Sequence, residues 1–140
     1  MNDKPLRMVV DTNLWVSMAI GSRAVSEQMA QLVEHTDIEI FVSTELLDEL
    51  TETLGKPRLQ RYLTHERTKR LFELIWMKTQ LINVTTAMKV CRDPKDDFVV
   101  NLAVDANAHY IITGDADLLV LNPFGAITIL SLGDFLQSVA

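Results

Sequence analysis

Residues 8–18, MVVDTNLWVSM, change from a continuous apolar run to apolar side chains at helical spacing. The run at 8–10 has the composition of a short buried strand. Leu14 and Met18 then stand four residues apart, on one face of a helix. Asp11 occupies the point of change, where an aspartate favours the start of a helix. The segment therefore predicts a strand that leads directly into a helix.

The strand-helix unit recurs along the chain. Residues 38–42 have the pattern of a second strand, Ser43 is a favourable helix cap, and Leu46 and Leu50 trace one helical face that ends near Gly55. The same patterns predict further strands at 81–84, 110–113 and 127–130. They also predict helices at 22–34, after Pro57, from Thr64 past Ile75, at 93–106, at 116–121 and at 133–139.

Regular alternation of strands and helices implies an α/β fold. Its centre would be a parallel five-stranded sheet with helices on both faces, connected by right-handed crossovers. In such folds, ligands bind beyond the carboxyl ends of the strands, near the point where the strand order reverses. The sequence of 140 residues contains no repeat and no Pro/Gly/Ser-rich linker. We therefore expect a single domain over residues 1–140.

Composition excludes several classes of protein. The sequence is 48% hydrophobic and 23% charged, as in soluble globular domains. Its single cysteine, Cys91, rules out an intramolecular disulfide. Neither an apolar N-terminal segment nor a run of about 20 apolar residues is present. We expect a cytoplasmic protein that does not associate with membranes.

Net charge is −6, yet residues 56–70 form a basic segment. Glu66 is the one acid within it, and its cations are Lys56, Arg58, Arg61, Arg67, Lys69 and Arg70. Such a segment can follow the phosphates of a nucleic acid. It can equally be an ordinary solvated helix face, and the sequence leaves both interpretations open.

Four acids fall on the strand-exit side of the predicted sheet. Asp11 and Asp115 follow the first and fourth strands. Glu49 lies in the helix after the second strand, and Asp96 lies in the first turn of the helix after the third. If the first and fourth strands are neighbours, Asp11 and Asp115 stand about 4.8 Å apart. Such a cluster needs protons or a cation, since two unit charges about 4 Å apart repel by roughly 4 kcal/mol at an effective dielectric near 20.

Oxygen ligands without cysteine or histidine favour magnesium or manganese over zinc or copper. Such an ion can polarise a phosphoryl oxygen and activate a water molecule, which is the chemistry of phosphodiester hydrolysis. The four acids therefore predict a metal-dependent enzyme that hydrolyses a nucleic acid.

Each acid also has a structural explanation. Asp11 can cap a helix, Asp115 can occupy a turn, and Asp96 can interact with a helix dipole. Glu49 is harder to explain in this way, because it borders the apolar stripe of its helix. Helical periodicity places Asp96 on the sheet-facing side and Asp97 on the solvent side. The joint placement of four acids on one edge favours a shared site.

Four stretches give the sequence a resemblance to the PIN domain, a nuclease fold found in toxins of prokaryotic toxin-antitoxin pairs and in eukaryotic RNA-processing enzymes. They are VVDTN at 9–13, the segment from Ser43 to Leu50, DPKDD at 93–97 and IITGDADLL at 111–119. The resemblance covers essentially the whole chain, and the last stretch is the most specific. It implies a Rossmann-like α/β/α sandwich and is strongest to the prokaryotic toxin branch.

The resemblance further implies a magnesium- or manganese-dependent endoribonuclease. Its catalytic and metal-binding carboxylates would be Asp11, Glu49, Asp96 and Asp115, with Asp117 as a supplementary metal ligand. Residues that hold these acids in place would be Asn13 and Thr113. The expected partners are an RNA substrate, an antitoxin protein and further copies of the chain in a homodimer or higher oligomer. Candidate RNA contacts are Lys56, Arg58, Arg61, Arg67 and Lys69.

Two other functions remain open. A phosphotransfer protein of haloacid-dehalogenase or receiver type also has an aspartate after its first strand. That class needs a second acid close to Asp11 and a later lysine at a strand end, and neither is evident. A catalytically silent PIN-like module would use the acids as caps and bind a partner protein. Trp15 and Trp76 lie in helical apolar patterns, which predict core or dimer contacts.

Overall fold

A computed structural model describes residues 4–139 of the chain. Its strands are β1 (Leu6–Val10), β2 (Ile38–Val42), β3 (Thr79–Leu81), β4 (Tyr110–Ile112) and β5 (Thr128–Leu130). All neighbouring pairs are parallel, and the strand order is β3-β2-β1-β4-β5. The predicted parallel five-stranded sheet is therefore confirmed.

The helices surround this sheet in the predicted alternation. They are α1 (Thr12–Ala19), α2 (Arg23–Glu34), α3 (Thr44–Leu54), α4 (Pro57–Gln60), α5 (His65–Lys78), α6 (Asp97–Asp105), α7 (Ala116–Leu119) and α8 (Leu132–Val139). Ser43 caps α3 by accepting a hydrogen bond from the Leu46 amide at 3.1 Å. The helix predicted from Asp93 begins as a 3-10 turn (Pro94–Asp96) and continues as α6.

The order of the strands reverses beside β1. The chain proceeds outward from β1 to β2 and β3, then crosses to β4 on the other side of β1 and continues to β5. Right-handed crossovers therefore place the helices between β1 and β3 on one face and α6 on the other. In agreement, α1 packs against α2, α3 and α5, whereas α6 packs on β1, β2 and β4. The α/β/α sandwich is confirmed, with its switch point between β1 and β4.

Strand β1 lies at the centre of the core. Residues 8–10 are fully buried, as expected of a central strand covered on both faces. Trp15 of α1 is also fully buried, which confirms its predicted core contact. Trp76 is 86% exposed, so a core contact is wrong for this residue. Helix α5 directs Leu71 and Ile75 into the core and turns Trp76 outward.

The third strand lies earlier than the predicted residues 81–84. Residues 79–81 pair with β2, and the chain leaves the sheet after Ile82. The amides of residues 85 and 86 then donate hydrogen bonds to the Asp105 carboxylate on α6. This tertiary contact overrides the apolar pattern on which the strand was predicted. Within residues 4–139, no helix has the length and apolar character needed to cross a membrane.

Candidate metal centre at the strand ends

Asp11 and Thr113 meet where β1 and β4 end. Val10 pairs with Ile112, and the Asp11 amide donates to the Ile112 carbonyl at 2.9 Å. The Thr113 hydroxyl donates a hydrogen bond to Asp11 Oδ2 at 2.7 Å, and both residues are buried. Within the described residues, the Asp11 side chain makes no capping bond to α1. The principal side-chain partner of Asp11 is therefore Thr113 and not the start of α1.

The same threonine hydroxyl orients the turn that carries Asp115. The Asp115 amide donates to Thr113 Oγ1 at 3.0 Å, and Asp115 Oδ1 accepts a bond from the Asp117 amide at 2.9 Å. Asp115 thus caps α7 with one carboxylate oxygen. A role as a cap and a role in a site are compatible here, because the carboxylate has a second oxygen.

Asp96, Asp115 and Asp117 form a compact group that we call the acidic triad. One carboxylate oxygen from each residue lies within 4.8 Å of the others, and all three residues are half-buried. Two come from the turn after β4 and one from the 3-10 turn before α6. Clustered carboxylate oxygens are the ligands that Mg²⁺ and Mn²⁺ prefer. The donor chemistry of the triad therefore fits a divalent cation.

The charge on Asp96 is unfavourable in this surrounding. Burial, and then the charges of Asp115 and Asp11, raise the pKa of Asp96 from 3.8 to about 7. The charge of Asp93 and a hydrogen bond with the Asp115 carboxyl act in the same direction. A carboxyl group with this pKa is only partly ionised near neutrality. A nearby cation would stabilise its charged form.

Asp11 lies in the same electrostatic field. Burial raises its pKa more than the hydrogen bond from Thr113 lowers it, and the charges of Asp115 and Glu49 raise it further. Glu49 is half-buried on α3. Among the described residues, the group of oxygens within 4.8 Å contains neither Asp11 nor Glu49. The fold thus brings five acids to one edge, namely the four predicted acids and Asp117. Three of them form the acidic triad, and Asp11 and Glu49 lie beside it.

Two predicted placements differ from the structure. Asn13 is exposed, and within residues 4–139 its side chain makes no hydrogen bond to the acids, unlike Thr113. Asp97 is half-exposed and also has protein partners, because its Oδ1 accepts hydrogen bonds from the amides of Val90 at 3.0 Å and Cys91 at 2.8 Å. These bonds, the one from Cys91 first, lower the pKa of Asp97. An extended segment covers this face of α6, which helical periodicity alone could not reveal.

Cys91 also lies near the site, and the sequence patterns did not predict this position. Burial, and then a hydrogen bond with Asp97, raise the pKa of its thiol to about 12, and the charges of Asp96 and Asp115 act in the same direction. The sulfur therefore stays protonated at neutral pH in the metal-free protein. Its position two residues before the DPKDD stretch was the available indication.

The basic segment is exposed, but part of its charge binds the protein itself. Arg67 Nη1 donates to the carbonyls of Ile20 at 3.2 Å and Tyr62 at 3.3 Å, which joins the start of α5 to the end of α1. Arg61 lies over the Tyr62 ring, 4.8 Å from its centroid, and donates to the Tyr62 hydroxyl at 2.8 Å. These two arginines therefore have structural partners.

The remaining candidate RNA contacts differ among themselves. Lys69 forms an exposed ion pair with Glu73 at 3.9 Å. Within the described part of the chain, Lys56 and Arg58 form neither ion pairs nor hydrogen bonds through their side chains, and both are exposed. They are the residues of the group whose charges remain available to a ligand.

Sequence comparison gave two matches. A model of the PIN domain matches residues 7–117 of this chain. An uncharacterized protein of Methanocaldococcus jannaschii is 31% identical over 117 residues, which cover 83% of this chain and 75% of that protein.

Solved structures with the same fold include three that cover most of the chain. VapBC2 from Rickettsia felis, bound to a DNA fragment from its promoter, has a TM-score of 0.59 at 12% identity, over 89% of this chain and 97% of that chain. A domain of a functionally unknown Methanocaldococcus jannaschii protein has a TM-score of 0.57 at 15% identity, over 90% of both chains. The PIN domain endonuclease Utp24 has a TM-score of 0.56 at 18% identity, over 91% of this chain and 85% of that chain. At these identities the structures establish similarity of fold.

Proposed function

Because this chain belongs to the PIN-domain family, we propose that it is an endoribonuclease that depends on Mg²⁺ or Mn²⁺. The observation that carries this proposal is the acidic triad, whose three carboxylate oxygens lie within 4.8 Å of one another beyond β4. The position agrees with the expected ligand site of a parallel α/β sheet, outside the carboxyl ends of its strands.

The residues proposed to hold the cation are Asp96, Asp115 and Asp117, with Asp11 and Glu49 as further acids of the centre. When bound, such an ion supplies polarisation of the scissile phosphate and activation of a water molecule. Thr113 donates to Oδ2 of Asp11 and so orients this carboxylate at the end of β1. A cation held here would favour the ionised form of Asp96, whose pKa is about 7 in its absence.

RNA is the proposed substrate, and Lys56 and Arg58 are its first candidate contacts. Each cation that replaces a counterion on a phosphate contributes to affinity. The support for these two residues is their exposure and the absence of an intramolecular partner within residues 4–139. Arg61, Arg67 and Lys69 are weaker candidates, because each already binds a group of the protein.

We further propose that the chain is the toxin of a toxin-antitoxin pair and binds an antitoxin protein. The support is the resemblance of its motifs to that branch, together with the shared fold of the Rickettsia felis VapBC2 protein. The proposal predicts that expression of the wild-type chain arrests growth, and that a chain with Asp115→Asn does not.

A second copy of this chain is proposed to cover the exposed apolar surface formed by Trp76, Met77 and Leu81. Their exposed fractions are 86%, 74% and 60%. A groove of about 350 Å³ lies beside Trp76 and is lined in part by Leu47 and Phe72. The protruding Trp76 side chain and the groove lie side by side on one chain. This arrangement suits a two-fold dimer, in which Trp76 of each copy enters the groove of the other copy. Light scattering should then show a dimer that Trp76→Glu converts to a monomer.

The nuclease proposal is tested by incubating the purified protein with total RNA and mapping new ends by sequencing. Cleavage should require Mg²⁺ or Mn²⁺ and should stop with a chelator. Asp115→Asn should abolish it, because asparagine can keep the capping bond to the Asp117 amide but removes the charge. A wild-type protein that binds a partner and cleaves nothing with either ion would favour the silent module. Phosphorylation of Asp11 by a phosphodonor would favour the phosphotransfer class.

A further inference from the structure

Residues 83–92, which we call the strap, connect β3 to the 3-10 turn that carries Asp96. Within the described residues, the strap has no regular secondary structure and makes no hydrogen bond from backbone to backbone. An extended segment of this kind needs other partners for its polar groups. Its position must therefore be fixed by side chains.

Three side chains of α6 provide those partners. Asp97, Asn101 and Asp105 are spaced four residues apart and so share one face of the helix. Asp105 Oδ2 accepts from the amides of Thr85 at 2.6 Å and Thr86 at 3.1 Å.

The other two contacts continue toward the site. Asn101 binds Met88 twice, accepting from its amide at 2.9 Å and donating to its carbonyl at 3.2 Å. Asp97 Oδ1 accepts from the amides of Val90 at 3.0 Å and Cys91 at 2.8 Å. The strap therefore runs antiparallel to α6, and Asp97 holds the end nearest the acidic triad.

The contact of Asp97 closes the short loop of residues 91–96. The Asp97 carboxylate binds the start of this loop, while its backbone is bonded covalently to Asp96 at the end. Inside the loop, Asp93 accepts from the Lys95 amide through Oδ1 and from the Asp96 amide through its carbonyl, both at 3.0 Å. Both ends of the loop are thus attached to Asp97, and Asp96 is the last residue of the loop.

We propose that Asp97 is a positioning residue, a hydrogen-bond acceptor that fixes the loop of residues 91–96 so that Asp96 stays within reach of Asp115 and Asp117. Its carboxylate faces the amides of the strap, and among the described residues it does not belong to the triad. The role requires an acceptor oxygen and does not require a charge at the site. This inference rests on the proposed metal-dependent nuclease.

Two substitutions separate an acceptor from a metal ligand. Asp97→Asn keeps an oxygen that can accept from the strap amides, whereas Asp97→Ala removes it. We expect Asp97→Asn to retain Mn²⁺ affinity and RNA cleavage within a few-fold of the wild type. Asp97→Ala should lose about 10- to 100-fold in cleavage and in Mn²⁺ affinity, the range typical of residues that orient ligands. The Mn²⁺ affinity is measured directly by electron paramagnetic resonance.

Asp105→Ala is the matched control, because it releases the far end of the strap from the same helix face. It should lower the melting temperature without changing Mn²⁺ affinity. Amide hydrogen exchange should quicken at residues 90–96 in Asp97→Ala and at residues 85–86 in Asp105→Ala. This pattern would tie the loss of metal affinity to the loop and not to a general loss of stability.

Two results would overturn the inference. An Asp97→Asn protein as inactive as Asp96→Asn would make Asp97 a ligand whose charge is needed. Unchanged exchange at residues 90–96 in Asp97→Ala would show that the residue does not fix the loop. If the wild-type protein binds no Mn²⁺ and cleaves no RNA, the proposed nuclease fails, whereas the exchange measurement still decides whether Asp97 fixes the loop.

Discussion

The strand-end acids and the basic segment carry opposite charges. They also differ in their surroundings and in their partners within the protein. The acids come from four separated segments of sequence and meet at one edge, where burial and mutual repulsion raise the pKa of Asp96 and of Asp11. The basic residues are close together in sequence and exposed. Two of them, Arg61 and Arg67, form hydrogen bonds within the protein.

This difference separates a site from a charged surface. Within residues 4–139, the ion pairs involve other acids, so the burial and repulsion that raise the pKa of Asp96 and of Asp11 are not offset by a lysine or arginine of the protein. Arg67, in contrast, already donates from Nη1 to two carbonyl groups of the protein. Convergence of dispersed acids on one edge is therefore the observation on which the proposed site rests, whereas the basic segment stays an exposed charged surface with two proposed contacts.

The largest effect is expected at Asp96. Asp96→Asn should reduce metal-dependent RNA cleavage by more than about 100-fold, because a ligand should cost more than the residues that orient it. Glu66→Gln is the matched control, an exposed acid in the basic segment, and should leave cleavage unchanged. Initial cleavage rates at saturating Mg²⁺ measure both. Equal losses in the two variants would remove the distinction between the regions.

An intermediate effect is expected from the unpartnered cations Lys56 and Arg58. Replacing both with Gln should weaken RNA binding and lower the slope of log affinity against log salt by about 1.4, at roughly 0.7 per lost phosphate contact on a single strand. Arg67→Gln should leave the slope unchanged and reduce stability by about 1 kcal/mol, since it removes two exposed hydrogen bonds. Binding is measured in an Asp96→Asn background. A slope that changes only with Arg67→Gln would reverse the assignment.

The smallest effect on cleavage accompanies a change of pH in the metal-free protein, where the measured quantity is stability. The pKa of Asp96 is raised from 3.8 to about 7 in the folded state, so folding favours its protonated form. Its contribution is therefore fully present below about pH 4 and is lost as pH rises to about 7. Burial gives Asp11 a shift in the same direction. Denaturant melts at several pH values should show this decline, and Asp96→Asn should flatten it.

The fold was largely predictable, because local patterns at residues 8–18 and 38–55 carry the strand-helix units. The third strand was misplaced because its range is set by a contact between the strap and Asp105, far away in sequence. Trp76 belongs to an apolar helical pattern, but its side chain is exposed at the surface. Helical periodicity predicts the direction of a side chain around the helix axis. It does not predict which other segment of the protein packs on that side of the helix.

The site shows the same limit. The convergence of Asp11 and Asp115 followed from the assumed neighbouring of strands one and four. The phase argument for Asp96 and Asp97 treated both as part of one helix, whereas Asp96 lies in the 3-10 turn before α6. The partner of Asp97 did not follow, since the strap reaches that face through a path that no local pattern describes. Asn13 and Thr113 were equivalent as polar neighbours of acids in sequence, and only tertiary geometry selects Thr113.

The central claim is that the acids converge to bind a divalent cation, and a Mg²⁺ titration of the melting temperature tests it most directly. The wild-type protein should gain roughly 5–10 °C when Mg²⁺ exceeds its Kd about 100-fold, because the ion binds the folded state. Asp96→Asn should melt at the same or a higher temperature without metal, since a repulsive charge is gone, and should gain far less from Mg²⁺. A wild-type melting temperature that does not respond to Mg²⁺, or an equal gain in Asp96→Asn, would contradict the account.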